Sequence, residues 1–307
     1  MQYSTVDREV RTAAFDWLNV QRDLHGNVLP WRVLSDGFAF HGRRVPLLGA
    51  QGIFRPQVME LPLSITTSPN SPYSDAFTPD GRLRYSYRGT DPNHRDNVGL
   101  REAMRTGTPL VYLHGIAKGR YVAAWPVYVV GDNPAGLCFT VEVDDKLVQD
   151  ADSRFGRDRS DDDLAPIRRG YVTALCKRRI HQEAFRERVL TAYREQCALC
   201  KLRHEELLDA AHIVADSDPD GEPVVRNGLA LCKLHHAAYD RHFLSVRPDY
   251  LIEIRKDLLE EVDGPVLKHG LQGLHLKQIQ VPRRPTDRPD PALLLARHER
   301  FTLITGA

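Results

Sequence analysis

Apolar positions at Val6, Val10, Ala13, Trp17 and Leu18 recur at helical spacing, so the chain opens on an amphipathic helix. The period then changes. Runs at 37–41, 43–47, 61–65, 83–87, 109–113 and 121–130 are rich in β-branched and aromatic residues and are bounded by Gly, Pro and Asp, which predicts strands. Within that region only 98–105 reads as a helix. The first 145 residues are therefore expected to form a mostly antiparallel barrel or curled sheet. From Asp144 the pattern fades into an acidic, polar stretch that ends in Asp161, Asp162 and Asp163, as a linker would. Beyond it, Phe185, Val189 and Tyr193 mark one face of a helix, 210–214 reads as a strand and 234–241 as a helix. Strand-like runs follow at 243–248 and 250–255, then an arm with Pro282, Pro285, Pro289 and Pro291, then a short helix near 292–301. The expected fold class is α+β: a β-rich domain at 1–145, a linker at 146–170 and a second domain at 171–307.

Composition supports two domains with real cores: 307 residues, 42 % hydrophobic and 27 % charged. There is no apolar run near the ~18 residues of a membrane span and no charged-then-apolar start, so neither a membrane nor a secretory signal is expected. Five cysteines, three of them in one short stretch, argue for a reducing cytoplasm over a disulfide framework. Cys138 and Cys176 read as small core residues. The net charge of +1 conceals an uneven distribution, because 168–203 holds ten Lys/Arg against Glu183, Glu187 and Glu195. Arg178, Arg179, Arg186, Arg188 and Arg194 fall on the helix that carries Phe185. An isolated basic helix would be a solvated face, but this one leads straight into the 197–240 segment, and Arg178, Arg179, Arg186 and Arg194 are expected to contact DNA phosphates.

The chemistry is concentrated in 197–240. Cys197, Cys200, Cys232 and His235 have the paired two-residue spacing of a closed tetrahedral zinc site, with His204 and His242 as less regular substitutes for His235. Four such ligands alone describe a structural zinc. His212, Asn227, His236 and Asp240 are not needed for it. On a helix, His236 and Asp240 stand at i and i+4 on one face, where both can bind one hard or borderline cation, while His235 points about 100° away toward the zinc. His212, in the apolar run Ala210-Ala211-His212-Ile213-Val214, is a suitably fixed imidazole for a general base. Asn227-Gly228 is compatible with an ordinary turn as well as with a role beside these groups.

The order Cys-x-x-Cys, Ala-His-Ile, Asn-Gly-Leu-Ala-Leu-Cys and His-His-x-x-Tyr-Asp resembles the HNH endonucleases, across roughly 193–246. The resemblance implies a ββα-metal fold, a β-hairpin set against a helix around one divalent cation (Mg2+, Mn2+, Co2+ or Ni2+). It implies His212 as general base, Asn227 as the residue holding the loop and the histidine orientation, and His236 and Asp240 as ligands of the catalytic cation. One departure stands out: many members have Asp directly before the base histidine, and this chain has Ala211.

A β-rich domain before such a centre resembles, in architecture, the modification-dependent (McrA-like, type IV) restriction endonucleases with a PUA-like or SRA-like reader. That implies double-stranded, methylated DNA as partner, with 5-methylcytosine preferred because an aromatic slot gains apolar contact with the 5-methyl group. Trp31, Phe40, Tyr73, Asp75, Tyr85 and Tyr87 supply residue types for such a slot, and the same aromatics equally suit a β core. A double-strand break would take two copies or two events, so a homodimer is expected. Alternatives are a non-specific or homing-type nuclease, or a zinc-stapled DNA-binding protein whose nuclease centre is degenerate. Retention of His212, Asn227, His236 and Asp240 together favours the enzyme.

Overall fold

The computed structural model describes residues 4–68, 76–77, 82–144, 165–215, 218 and 221–306. The chain divides into two compact units, Met1–Glu183 and Ala184–Ala307. Most of the expected linker, 146–164, lies outside the described residues, and 165–170 open a long helix.

In the first unit the opening helix α1 (Thr5–His25) buries Val10, Ala14 and Leu18, one residue per turn along a single stripe. Gly26, at φ 73°, ends it with its N–H bonded to the Arg22 carbonyl. Asp7 on the same stripe is buried because it is fully used. It accepts from the N–H groups of Glu60 and Leu61 at 2.9 and 3.0 Å and pairs with Arg11 at 3.6 Å. Arg11 in turn donates to the carbonyl of Pro109 at 2.9 Å. Strands β1 (Val28–Pro30), β2 (Phe38–Phe40), β3 (Arg43–Val45), β4 (Ile53–Phe54) and β5 (Ser64–Thr67) follow, with a short helix α2 (Trp31–Asp36) that the sequence pattern does not announce. Then come β6 (Ala76–Phe77), β7 (Leu83–Ser86), α3 (Arg95–Thr106), β8 (Leu110–Ala117), β9 (Arg120–Asn133) and β10 (Cys138–Val143).

The main sheet runs β4-β5-β8-β9-β10-β7-β6, with β1 added on β9, and it forms a curled half-barrel. β5 and β8 are parallel and the other pairs antiparallel. Strand periodicity sorts its two faces. Leu110 and Tyr112 join a core with Leu100 and Ala103 of α3, whereas Val111 and Leu113 join a core with Val10 and Leu18 of α1. The helix α4 (Ala165–Ala192) adds Cys176 and Ile180 to the first of these cores, and Cys138 is buried as well.

In the second unit, β11 (Leu208–His212) and β12 (Gly228–Cys232) pair antiparallel, from Leu208↔Cys232 to His212↔Gly228. Helix α5 (Lys233–Asp240) starts on the residue after β12, so it packs back onto the hairpin it leaves. A second hairpin, β13 (Leu244–Val246) with β14 (Ile252–Ile254), is followed by α6 (Lys256–Glu260), α7 (Pro265–Gly270) and α8 (Pro291–Thr305). Phe185, Val189 and Leu190 of α4 belong to the core of this unit. Gly228 is required by close approach. A Cβ there would lie 2.4 Å from Val189 Cγ2 and 3.0 Å from Phe185 Cζ. Among the described residues no helix is long and apolar enough to cross a membrane.

Candidate functional site

Cys197 and Cys200 lie on a tight loop after α4, Cys232 ends β12, and His235 is in the first turn of α5. One ligand atom from each falls within 4.8 Å of the others, forming a Cys3His cluster. His235 Nδ1 is 3.4 Å from Cys197 Sγ and 3.2 Å from Cys232 Sγ. Its Nε2–H donates to the carbonyl of Gly270 at 2.7 Å, which leaves Nδ1 as the nitrogen with a lone pair for a metal. Backbone bonds shape the loop. The N–H of Lys201, at φ 65°, returns to the Cys197 carbonyl, and the N–H of Ala198 reaches Ala230 on β12. His204 and His242 take no part in this cluster.

These donors polarise one another. The neighbouring Cys200 and Cys232 sulfurs pull Cys197 far below the ordinary thiol value against burial, and Cys197 with Cys232 pushes Cys200 far above it. Burial opposes charge on His235, but the Cys197 and Cys232 sulfurs outweigh it and raise its pKa to about 10. Three sulfurs and an imidazole in this arrangement fit tetrahedral zinc, which binds thiolates and a neutral imidazole.

The next residue faces elsewhere. His236 lies between two carboxylates: its Nδ1 is 3.2 Å from Asp209 Oδ2 and its Nε2 is 3.3 Å from Asp240 Oδ2. The second spacing is that of two ligands sharing one ion, and one nitrogen with one oxygen suits a hard or borderline cation. The Asp240 side chain is 58 % exposed, so an ion held there keeps open positions. The hydrogen bond to Asp209 raises the His236 pKa against burial, with the Asp240 charge helping. Burial works against the Asp209 carboxylate, yet His236 and Lys233 overcome it and bring its pKa down to about 2.

Asp209 was not among the residues singled out from sequence. On β11 it shares a face with position 211, where the resemblance expects Asp and the chain has Ala. The period-two pattern of a strand is the signal that would have pointed to it. Arg186 anchors this end of β11, donating to the carbonyls of Glu205 and Leu208 at 3.0 Å each and approaching Asp209 Oδ1 at 3.8 Å.

His212, at the far end of β11, stacks on Phe185 with ring centroids 4.0 Å apart and planes 13° apart. Directly after it the backbone is clamped by Asn227, which is fully buried. Asn227 Oδ1 accepts from the N–H of Val214 at 2.9 Å, and its Nδ2 donates to the carbonyls of Val214 and Glu222 at 2.9 and 3.0 Å. The Asn227 carbonyl also accepts from the N–H of Ile213. The Asn-Gly pair is therefore no hairpin turn. Asn227 closes one 3-10 turn, Val225–Asn227, and Gly228 is extended at the start of β12.

The other expected residues are placed as follows. α4 ends at Ala192, so Tyr193 and Arg194 lie beyond it, with Arg194 exposed at φ 57°. Arg178 is exposed, but Arg179 donates to the carbonyl of Ala123 at 3.0 Å, and Arg186 is committed to the β11 carbonyls as above. Among the described residues, the aromatics named for a slot are not brought together in one. Tyr85 and Tyr87 are core residues. Tyr87 is only 1 % exposed, packs at a tilt against Phe139 and hydrogen-bonds Asp132, and Tyr85 is buried beside it in the same core, so neither ring can receive a base without opening the core. Phe40 is half-buried against His41, Trp31 is 53 % exposed on α2, and Tyr73 and Asp75 lie outside the described residues.

The HNH endonuclease family model matches residues 197–247, so the chain carries an HNH endonuclease domain around this site. Among solved structures, one described as a modification-dependent TagI restriction endonuclease aligns at 15 % identity over 78 % of this chain and 81 % of that one, with a TM-score of 0.32. No curated protein matches the sequence.

Proposed function

We propose that this HNH endonuclease is a modification-dependent DNA endonuclease, in which the first unit reads the DNA and a one-metal centre on β11, β12 and α5 hydrolyses the phosphodiester. The observation that carries the hydrolytic part is the 3.3 Å pairing of His236 Nε2 with Asp240 Oδ2 on α5, the helix that follows the hairpin whose β11 ends in His212. His236 and Asp240 would hold a divalent cation, which when bound supplies positive charge to the scissile phosphate and the leaving oxygen. His212 takes a proton from the attacking water, and the P–O bond to the 3′ oxygen breaks as the new one forms. Asn227 keeps the backbone after His212 in register. Zinc in the Cys3His cluster holds the loop, β12 and α5 together and takes no part in the reaction.

Target choice is assigned to the first unit because it has cores of its own and a nearly even charge, 16 Lys/Arg against 16 Asp/Glu over residues 1–150. Tight binding by such a surface has to come from a shaped pocket more than from field strength. A 5-methyl group offers about 1 kcal/mol of apolar contact to such a pocket, which makes 5-methylcytosine our preferred ligand. Of the described aromatics named from sequence, Trp31 is the ring exposed enough to take part as folded. Exposed Arg178 and Arg194 are the candidate phosphate contacts. A double-strand break takes two such chains or two events, and we expect a homodimer.

The test is cleavage by the full chain of plasmids that differ only in cytosine or adenine methylation, with Mg2+, Mn2+, Co2+ or Ni2+ added. Cutting confined to methylated cytosine supports the reading. Equal cutting of all plasmids moves it to a non-specific nuclease, and no cutting with any cation moves it to a DNA-binding protein with a degenerate centre.

A further inference from the structure

The two carboxylates flanking His236 are not equivalent, and the difference assigns a role to Asp209. We propose that Asp209 is a positioning residue for the catalytic cation: it holds the His236 ring so that Nε2 faces the ion beside Asp240. The proposal rests on the cation site described above and adds to it a residue outside the ligand pair.

The two ring nitrogens lie on different edges of an imidazole. Asp209 engages the Nδ1 edge at 3.2 Å and Asp240 the Nε2 edge at 3.3 Å, so the two carboxylates cannot share one ion with the same nitrogen. Charge decides which edge takes the cation. Lys233 Nζ lies 3.5 Å from Asp209 Oδ2, and Arg186 Nε lies 3.8 Å from Asp209 Oδ1. Two cations already beside that carboxylate would repel a dication at the Nδ1 edge. The ion therefore belongs at the Nε2 edge, with Asp240.

Asp209 is well held for the task. It sits on β11, whose end is tied by Arg186, and its Oδ1 accepts from the N–H of Ala210 at 2.9 Å. Its Oδ2 is thus presented to a ring carried by a different element, α5. A hydrogen bond from Nδ1–H to a fixed carboxylate sets the tautomer, leaves the lone pair on Nε2 and stops the ring from flipping. The same logic operates one residue earlier, where the Gly270 carbonyl fixes His235 for the zinc.

The experiment uses the zinc-loaded full chain and titrates Mn2+, a hard ion that does not compete for the Cys3His cluster, by electron paramagnetic resonance. Wild type is compared with Asp209→Asn, Asp209→Ala and His236→Ala. Loss of such a partner weakens metal affinity by roughly 10- to 100-fold. The expected result is a weaker Mn2+ affinity of that size in both Asp209 variants, with zinc content and thermal unfolding unchanged. For Asp209→Asn, turnover should recover at saturating Mn2+, the signature of a lost positioning group and not of a lost reacting one. Wild-type Mn2+ affinity in Asp209→Ala, with affinity lost in His236→Ala, overturns this proposal alone. Wild-type affinity in His236→Ala overturns the cation site itself. Loss of zinc or of cooperative unfolding in both Asp209 variants makes the residue structural and also overturns the proposal.

Discussion

His235 and His236 are chain neighbours on one helical turn, yet the sites they enter differ in almost every physical respect. His235 is buried among three sulfurs, with its second nitrogen tied to the Gly270 carbonyl. His236 is partly buried between two carboxylates, with its second nitrogen tied to Asp209. One set is soft, complete and closed; the other is harder, two-membered and open. The 100° rotation between successive helical residues separates the two, and burial sets their character. A closed set can only hold the fold together, whereas an open one can admit water and a phosphate. The hairpin of β11 and β12 serves both: Cys232 and Asp209 lie toward one end, His212 and Asn227 at the other.

The sharpest way to break this comparison is to remove the closed site. Cys232→Ser is expected to lose zinc and abolish cooperative unfolding of the second unit, since structural zinc contributes on the order of 10 kcal/mol of folding free energy. Elemental analysis and thermal melts check it, and a variant that keeps a normal melt without zinc would contradict the assignment.

The next effect belongs to the open side. His212→Ala should lower turnover by roughly 100- to 10,000-fold, the usual contribution of a general base. DNA binding and zinc content should persist. Because the ring stacks on Phe185, His212→Gln serves as a second variant that leaves less of a void. Undiminished turnover in both would remove His212 from the mechanism.

A third prediction concerns the first unit. Burial, aided by the charge of His181, lowers the pKa of His114 from 6.5 to about 4. The folded state therefore gives up this proton more readily than the unfolded chain. The resulting stability is fully present above about pH 6.5 and is lost as pH falls toward 4, by about 3 kcal/mol. Denaturant unfolding at pH 7 and 4.5, compared between wild type and His114→Gln, isolates this group from the acid-sensitive metal ligands. An identical pH dependence in the two proteins would refute it.

The smallest expected effect tests how tightly the hairpin is seated. Gly228→Ala places a methyl 2.4 Å from Val189 Cγ2 and should cost about 1–3 kcal/mol. Val189→Ala in the same chain should recover part of it, read as coupling in a double-mutant cycle.

Much of the second unit is legible in the chain. The Cys3His spacing, the placement of His236 and Asp240 on one helical face, and the strands at 243–248 and 250–255 follow from short periodicities and local reach. The first unit is less so. α1 and α3 are readable from their apolar stripes, but α2 has no such pattern, and the strand expected at 61–65 runs instead over Ser64–Thr67, the residues that pair with 111–114 of β8. Tyr85 and Tyr87 show why a binding slot is hard to read from residue types. A tyrosine that stacks on a base and a tyrosine that fills a core look the same until the sheet curls around it. Arg179 and Arg186 show the same limit for charge. Their place in a basic run foretold phosphate contact, and the fold spends both on backbone carbonyls.

By itself, then, the sequence determined the α+β character, the Cys3His cluster and the placement of His236 and Asp240 on one helical face, because each depends on contacts within a few residues or on paired short-range spacings. Tertiary structure alone decided that Asp209 meets His236 across 27 residues of chain, that Asn227 clamps the backbone behind His212, and which arginines remain exposed. These depend on the register of β11 against β12 and on the packing of α5 over both. A register shift of one residue would turn Asp209 to the opposite face of the hairpin, and no local pattern in the chain records that choice.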